Sequence, residues 1–399
     1  MTLRLPRAST ALATPVAVGV ATFPSYLPHL PVALGVLTAL SFLVVVGIAR
    51  RLAGPHPRVT GPAHPLVVAL GGAVTAYLLF ITWTTQAGMR ARIGMDPLAL
   101  PDLGLLVATA AAVVGGYHGL RQLRRRRRAR VPRRAVAAVA GLSLLSFAPS
   151  AQADADAPPS DQVLLTSSPV GAVRAYAGLS ESADDAARAR IAVDRLVAAG
   201  GLAREHLLVA IPTGSGWVNP EFVAGMERRF GSDVATVSMQ YDDRPSWVAY
   251  LLDRQGAVRG AQALLDAAVA EVSTLPVGQR PQVHVVGESL GATAGQAALL
   301  APGVAGDALR STVCSTFWLG TPGGGRTGLP RETVAANADD PIVHARPSMA
   351  LVPPGEDRPW LPVVSFVHAG ADVVGALAMP FGAGHRYGAD QPERLQTCD

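Results

Sequence analysis

The chain has 399 residues, of which 49% are hydrophobic and only 16% charged, well below the roughly 25% charge of an ordinary soluble domain, so a wholly water-exposed globule is excluded. The net charge of +5 is unevenly placed: residues 1–150 carry 16 arginines against Asp96 and Asp102, while residues 151–399 carry 18 arginines against 27 acids. The basic balance therefore belongs to an apolar half, and its arginine run lacks the interleaved aromatics of a nucleic-acid surface, so no nucleic-acid partner is expected.

A bilayer span needs about 20 mostly apolar residues. Residues 30–48, 65–84, 100–117 and 135–151 meet or approach this, and 11–27 is a fifth apolar segment broken by Pro15 and Pro24. Five helices are therefore expected in a transmembrane domain over residues 1–153. Arginine positions orient it. Arg4 and Arg7, then Arg50, Arg51 and Arg58, then Arg121 and the run 124–134 must share one side of a five-span array. That side is the cytoplasm, so this reading places a multi-pass protein in the cell membrane with its N-terminus inside and everything after residue 153 outside. Residues 133–153 also have the basic start, apolar middle and small residues, Ala151 and Ala153, of a signal-peptidase substrate. Cleavage after Ala153 would release the second half; retention would leave it anchored. Both routes export it.

Residues 154–170 open with Asp-Ala-Asp-Ala-Pro-Pro-Ser and are expected to be a linker. Residues 171–399 then alternate apolar strands with amphipathic helices. Strands are expected at 173–177, 207–211, 234–239, 283–286, 316–319 and 363–368, with a weaker one at 333–337. Helices are expected at 184–199, 221–230, 258–272 and directly after Ser289. Alternation of this kind predicts a mainly parallel sheet covered by helices on both faces, with active groups in the loops beyond the carboxyl ends of the strands.

Residues 283–291, Val-His-Val-Val-Gly-Glu-Ser-Leu-Gly, fit a strand, a G-x-S-x-G turn and a helix start. This is the nucleophile elbow of an α/β-hydrolase fold, with Ser289 raised above the sheet and the Leu290 N–H free for an oxyanion. The turn Thr213-Gly214-Ser215-Gly216-Trp217 follows the strand at 207–211 and is placed to supply a second oxyanion donor, the N–H of Ser215, with Gly214 or Gly216 as alternatives. A serine nucleophile needs a base held by a carboxylate, in the chain order serine, acid, histidine. His385 arrives in a late loop, Gly382 to Gly388, and is the expected base. His344 is the alternative, and His284 and His368 are expected to be structural. Asp340 is the expected acid, one strand before His385; Asp372 and Asp339 are the alternatives. Cys314 and Cys398 stand outside any CxxC or Cys/His cluster, so no metal is expected. In an exported domain they can pair as a disulfide or stay as separate thiols.

Five runs carry a resemblance: Arg174-Ala175-Tyr176-Ala177-Gly178-Leu179, residues Thr213 to Pro220, Gln240-Tyr241, Pro245-Ser246-Trp247 and the elbow itself. Together they resemble the actinobacterial α/β-hydrolase membrane-protein family, which joins a multi-span N-terminal domain to a C-terminal hydrolase domain. Phe23-Pro24-Ser25-Tyr26-Leu27-Pro28 is similar to that family's first-span signature. Asp340-Pro341-Ile342-Val343 and Gly384-His385-Arg386-Tyr387 are similar to its acid and histidine segments. The sequence departs from the family at Asp242-Asp243 and at Gly320-Thr321-Pro322. The expectation is a serine esterase or lipase acting on acyl esters or lipids outside the membrane, with no cofactor. An envelope acyltransferase would use the same acyl-enzyme, and a non-catalytic membrane scaffold would have lost it.

Overall fold

The computed structural model describes residues 7–52, 63–126, 162–344, 346–355 and 358–398. The chain divides into two compact units. One comprises Met1–Ser150 together with Ala345–Pro380, the other Ala151–His344 together with Phe381–Asp399. The expected span at 135–151 and the cleavage point after Ala153 lie outside the described residues.

The first unit holds α1 (Ala8–Ala21), α2 (Pro31–Leu52), α3 (Ala63–Arg92) and α4 (Leu100–Arg126). The last three are long and apolar enough to cross a membrane. The segment expected as a first span, 11–27, instead gives a 14-residue helix, about 21 Å long at 1.5 Å per residue against a hydrocarbon core of about 30 Å. It stops at Ala21 because Pro24 has no N–H to donate and disfavours helical backbone at Phe23.

Residues 345–380 contribute α11 (Val364–Gly375) to this unit. The strand expected at 363–368 is therefore a helix. An apolar run of six residues cannot distinguish the two states by periodicity. The residues beyond it decide. Val363 breaks the extended run at φ 63°. The Leu361 N–H donates to the Ser365 hydroxyl at 2.9 Å. Helical spacing then collects Ser365, His368, Ala369 and Asp372 on one buried face.

The second unit is built on a six-stranded, wholly parallel sheet in the order β1-β3-β2-β4-β5-β6. The strands are β1 (Val173–Ala177), β2 (His206–Ile211), β3 (Val234–Met239), β4 (Gln282–Glu288), β5 (Val313–Leu319) and β6 (Glu332–Ala335). Along β2 the residues alternate between two cores. Leu207, Val209 and Ile211 enter one, and Leu208 and Ala210 the other, as the two-residue period of a strand requires. The first core receives α5 (Asp185–Ala198), α8 (Arg254–Thr274) and α9 (Leu290–Leu299); the second receives α6 (Pro220–Phe230). The shorter helices α7 (Ser246–Leu252) and α10 (Val304–Thr312) complete the helical set around the sheet.

The described part of the expected linker, 162–170, is packed on this unit. Leu164 is buried in the second core, Gln162 Nε2 donates to Gly216 O at 2.7 Å, and the Ser168 hydroxyl donates to Glu227 at 2.9 Å. The buried Arg174–Glu227 pair, 2.7 Å apart, fixes the same edge. Cys314, in β5, is bonded to Cys398 near the C-terminus, across 84 residues of chain.

Candidate active site

β4 runs straight into the elbow. Ser289 follows Glu288 with φ 54° and ψ −117°, a conformation that L-residues adopt only when their surroundings enforce it. Its N–H donates to Leu319 O at 2.9 Å, at the end of the neighbouring strand β5. The turn is tight enough to exclude side chains: a Cβ on Gly291 would come within 2.4 Å of Ile211 O. The start of α9 thus abuts the exit of β2, where the 213–217 turn begins.

That turn uses two of its three central N–H groups. Gly214 donates to the Ser246 hydroxyl at 3.1 Å, and Gly216 donates to Thr213 O at 3.0 Å. Among the described residues, the Ser215 N–H takes part in none of the turn's hydrogen bonds.

His385 lies in a loop pinned at several points. Gly382 and Gly384 have positive φ. Asn337 Nδ2, just beyond β6, donates to Gly384 O and Arg386 O at 2.9 and 3.0 Å. The Gly384 N–H donates to Asp339 Oδ1 at 3.1 Å. Asp339 is therefore an anchor of the histidine loop. The carboxylate that meets the imidazole is Asp340, whose Oδ2 lies 2.7 Å from His385 Nδ1. Asp340 is fully buried, and its Oδ1 accepts the Ile342 N–H at 2.9 Å.

The other ring nitrogen, Nε2, is buried and has no hydrogen-bond partner among the described residues. A Cβ on Gly320 would fall 2.6 Å from His385 Cε1. Gly320 follows Leu319, the residue that receives the Ser289 N–H. The imidazole and the elbow thus share the carboxyl ends of β4 and β5.

The remaining alternatives have other partners. Asp372 is in α11, where it accepts the Tyr26 N–H at 2.8 Å and lies 3.2 Å from His29. His368 Nε2 lies 2.9 Å from Val20 O. His284 is inside the sheet, bonded to Ser315 at 2.8 Å and 3.1 Å from His206. Burial, with His206 and Arg229 nearby, pushes its pKa down to about 3, so it stays neutral. His344 ends a single helical turn at Pro341–His344.

Two groups of this site escape sequence reasoning. The Tyr387 hydroxyl donates to Asp340 Oδ2 alongside the imidazole; the sequence marks it as the last residue of the Gly384-His385-Arg386-Tyr387 run but gives it no role. Glu288, the variable residue of the elbow motif, is buried and accepts from Asn219 Nδ2 at 2.7 Å. Asn219 also caps α6 through its Oδ1 and donates to Tyr387 O at 3.1 Å, tying helix, elbow and histidine loop together. Nothing in a linear motif marks that junction.

The electrostatics follow from burial. Desolvation raises the Glu288 pKa to about 7, against the opposing pull of His385 and the Asn219 hydrogen bond. Desolvation disfavours the His385 imidazolium, but the hydrogen bond and charge of Asp340, with Glu288 behind, outweigh it and hold the pKa above its ordinary value. Beside Glu288 and Asn219 is a cavity of about 20 Å³, room for a single water and not for an acyl chain.

A parallel sheet with a strained serine elbow at the end of β4 and a carboxylate–imidazole pair beyond the neighbouring strands defines an α/β-hydrolase fold. In agreement, residues 173–350 match the model of a family described as an alpha/beta-hydrolase family. The matched stretch contains Ser289 and Asp340, ends before His385, and supports hydrolase chemistry. No curated protein matches the chain.

Proposed function

We propose that the protein is a membrane-anchored serine hydrolase that cleaves acyl esters outside the cytoplasmic membrane. The observation that carries this reading is the state of His385. One ring nitrogen is held by a buried carboxylate, and the other is buried, unpaired and beside the elbow that presents Ser289. A buried nitrogen without a partner is costly, and accepting a serine proton is work it is oriented to do.

In this mechanism His385 Nε2 accepts the Ser289 hydroxyl proton as Oγ attacks the ester carbonyl. The N–H groups of Leu290 and Ser215 donate to the oxyanion. His385 returns the proton to the departing alcohol, leaving an acyl-serine. Water then attacks with the same base, and Ser289 regains its proton as the acid leaves. Asp340 keeps Nδ1 protonated and balances the transient imidazolium. The three bilayer-length helices support anchoring, and the disulfide supports an oxidising compartment.

An alkyl fluorophosphonate tests the reading directly. The whole 399-residue chain in detergent is expected to label once, at Ser289. Ser289→Ala should abolish labelling, and His385→Ala should slow it by roughly three orders of magnitude or more. Labelling that survives Ser289→Ala would move the nucleophile elsewhere, and a wild type that never labels would leave a non-catalytic scaffold.

A further inference from the structure

Helix α11 is polar inside and apolar outside. Its buried face carries Ser365, His368 and Asp372, the last two only 2% and 1% exposed. Its outward face carries Phe366 and Val367, continued by Val363 just before the helix and by Leu377 in the turn Ala376–Ala378 just after it, each 40% exposed or more, with Gly370 between them and no charged side chain. A water-soluble protein arranges a surface helix the other way round. Leaving four large apolar side chains in water forfeits the main driving force of folding, while burying an aspartate requires partners to replace its hydration.

The partners are present, and all come from the helical unit. Asp372 accepts the Tyr26 N–H at 2.8 Å and faces His29 Nε2 at 3.2 Å. The His29 N–H in turn donates to Gln86 Oε1 at 2.9 Å, on α3. His368 Nε2 lies 2.9 Å from Val20 O, on α1. The turn between α1 and α2, which contains the Phe23-Pro24-Ser25-Tyr26-Leu27-Pro28 run, is thereby clasped to α11. Ionisable groups paired toward the interior of a helical unit, with apolar side chains outward, are the arrangement of protein in lipid.

We propose that α11 and its flanking residues, in the stretch of chain between Asp340 and His385, are seated in the bilayer, with Val363, Phe366, Val367 and Leu377 against lipid acyl chains. The occupant of that face is lipid because α11 belongs to the unit whose other outward apolar surfaces, on α2 to α4, are those of bilayer-length helices. At 12 residues α11 is about 18 Å long, too short to cross a core of about 30 Å, so it enters from one side. Arg358, stacked 4.5 Å from the Tyr26 ring centroid, and Trp360, whose Nε1 donates to Met349 O at 2.8 Å, precede it in the chain. These residue types anchor segments at the water–lipid boundary. The inference rests on the membrane anchoring proposed above and not on hydrolysis.

Site-directed spin labelling of the full chain in phospholipid vesicles tests this without reference to activity. Both native cysteines are in the disulfide, so the label goes only where a cysteine is introduced. Phe366→Cys and Leu377→Cys should give nitroxides relaxed by oxygen, which concentrates in lipid, with loss of relaxation by a water-soluble nickel chelate. Leu70→Cys on α3 serves as the lipid-facing reference, and exposed Val277→Cys in the second unit as the aqueous one. Val367→Cys replaces either variant that does not assemble. Nickel relaxation at 366 and 377 equal to that at 277 would overturn the proposal. So would exclusion of both reagents, which would mean that protein, such as a second copy of the chain, covers the face.

Discussion

Among the described residues Asp340 accepts three hydrogen bonds, and only one comes from the imidazole. The other two, from the Tyr387 hydroxyl and the Ile342 N–H, hold the carboxylate still and share its charge. Tyr387→Phe removes one of them. A hydrogen bond to a charged group is worth about 1.5–3 kcal/mol, so ester turnover should fall roughly 10- to 100-fold while Ser289 remains labelled by fluorophosphonate. Released from Tyr387, Asp340 also holds the imidazolium more strongly, so the acid limb of kcat/KM should move to higher pH. Glu288 acts in the opposite sense. The base must be neutral to take the serine proton, so activity rises as pH passes the His385 pKa, which lies above the ordinary value of about 6.5. The Glu288 carboxylate helps raise it. Glu288→Gln keeps an acceptor for Asn219 and removes the charge, so the acid limb should shift to lower pH. A pH profile of kcat/KM that is unchanged in this variant would show that Glu288 is electrostatically silent. The elbow motif points to Ser289 in the sequence and chain order narrows the base and acid to a few candidates; it is the geometry that brings Asp340, rather than Asp372 or Asp339, against the His385 imidazole. Tyr387 and Glu288 cannot be read from the sequence, because their roles arise from burial against residues as distant in the chain as Asn219.

At the scale of elements, β1 to β4 were legible to within one or two residues, since each is a short β-branched or apolar run closed by a turn. The helices α5, α6 and α8 were legible from their apolar period; the structure adds that Asp184 and Asn219 cap the first two. The segment 162–170 was not legible, because a Gln-Val-Leu-Leu stretch among serines gives no sign that Leu164 has a core to enter. Helix α11 was misread as a strand for the related reason that its order comes from long-range partners. Asp372 is the centre of that order. Asp372→Ala would strand the buried Tyr26 N–H without its acceptor, at about 1–3 kcal/mol, and would remove the carboxylate that lies 3.2 Å from His29 Nε2. The thermal midpoint of the full chain in detergent should drop by several degrees, and protease cutting within 345–380 should increase. Asp372→Asn, which keeps an acceptor for Tyr26, should recover part of the loss. Equal midpoints for wild type and Asp372→Ala would mean that the clasp contributes nothing to order.

For the whole molecule, the uneven charge is the sequence feature that best anticipates the division into units: a basic, apolar N-terminal part and an acidic part carrying the sheet. It could not reveal that Ala345–Pro380 is grouped with the N-terminal part, because chain order hides contacts made across some 340 residues. One covalent feature bounds this excursion. The Cys314–Cys398 bond closes a loop spanning 84 residues that contains Asp340, residues 345–380 and His385. Without it the unfolded chain gains the freedom of a loop of that size, worth about 4–5 kcal/mol in the chain-entropy limit, with about 2–5 kcal/mol typical of native bonds. Cys398→Ser should therefore lower the unfolding midpoint of the full chain, followed by tryptophan fluorescence, to which the buried Trp318 contributes. Reductant should lower the wild-type midpoint to the same value and leave the variant unmoved. Because Cys314 is at the start of β5 and the reacting groups gather at the strands' far ends, ester turnover at 25 °C should persist in the folded variant. A wild-type midpoint indifferent to reductant would show that the bond does not support the fold.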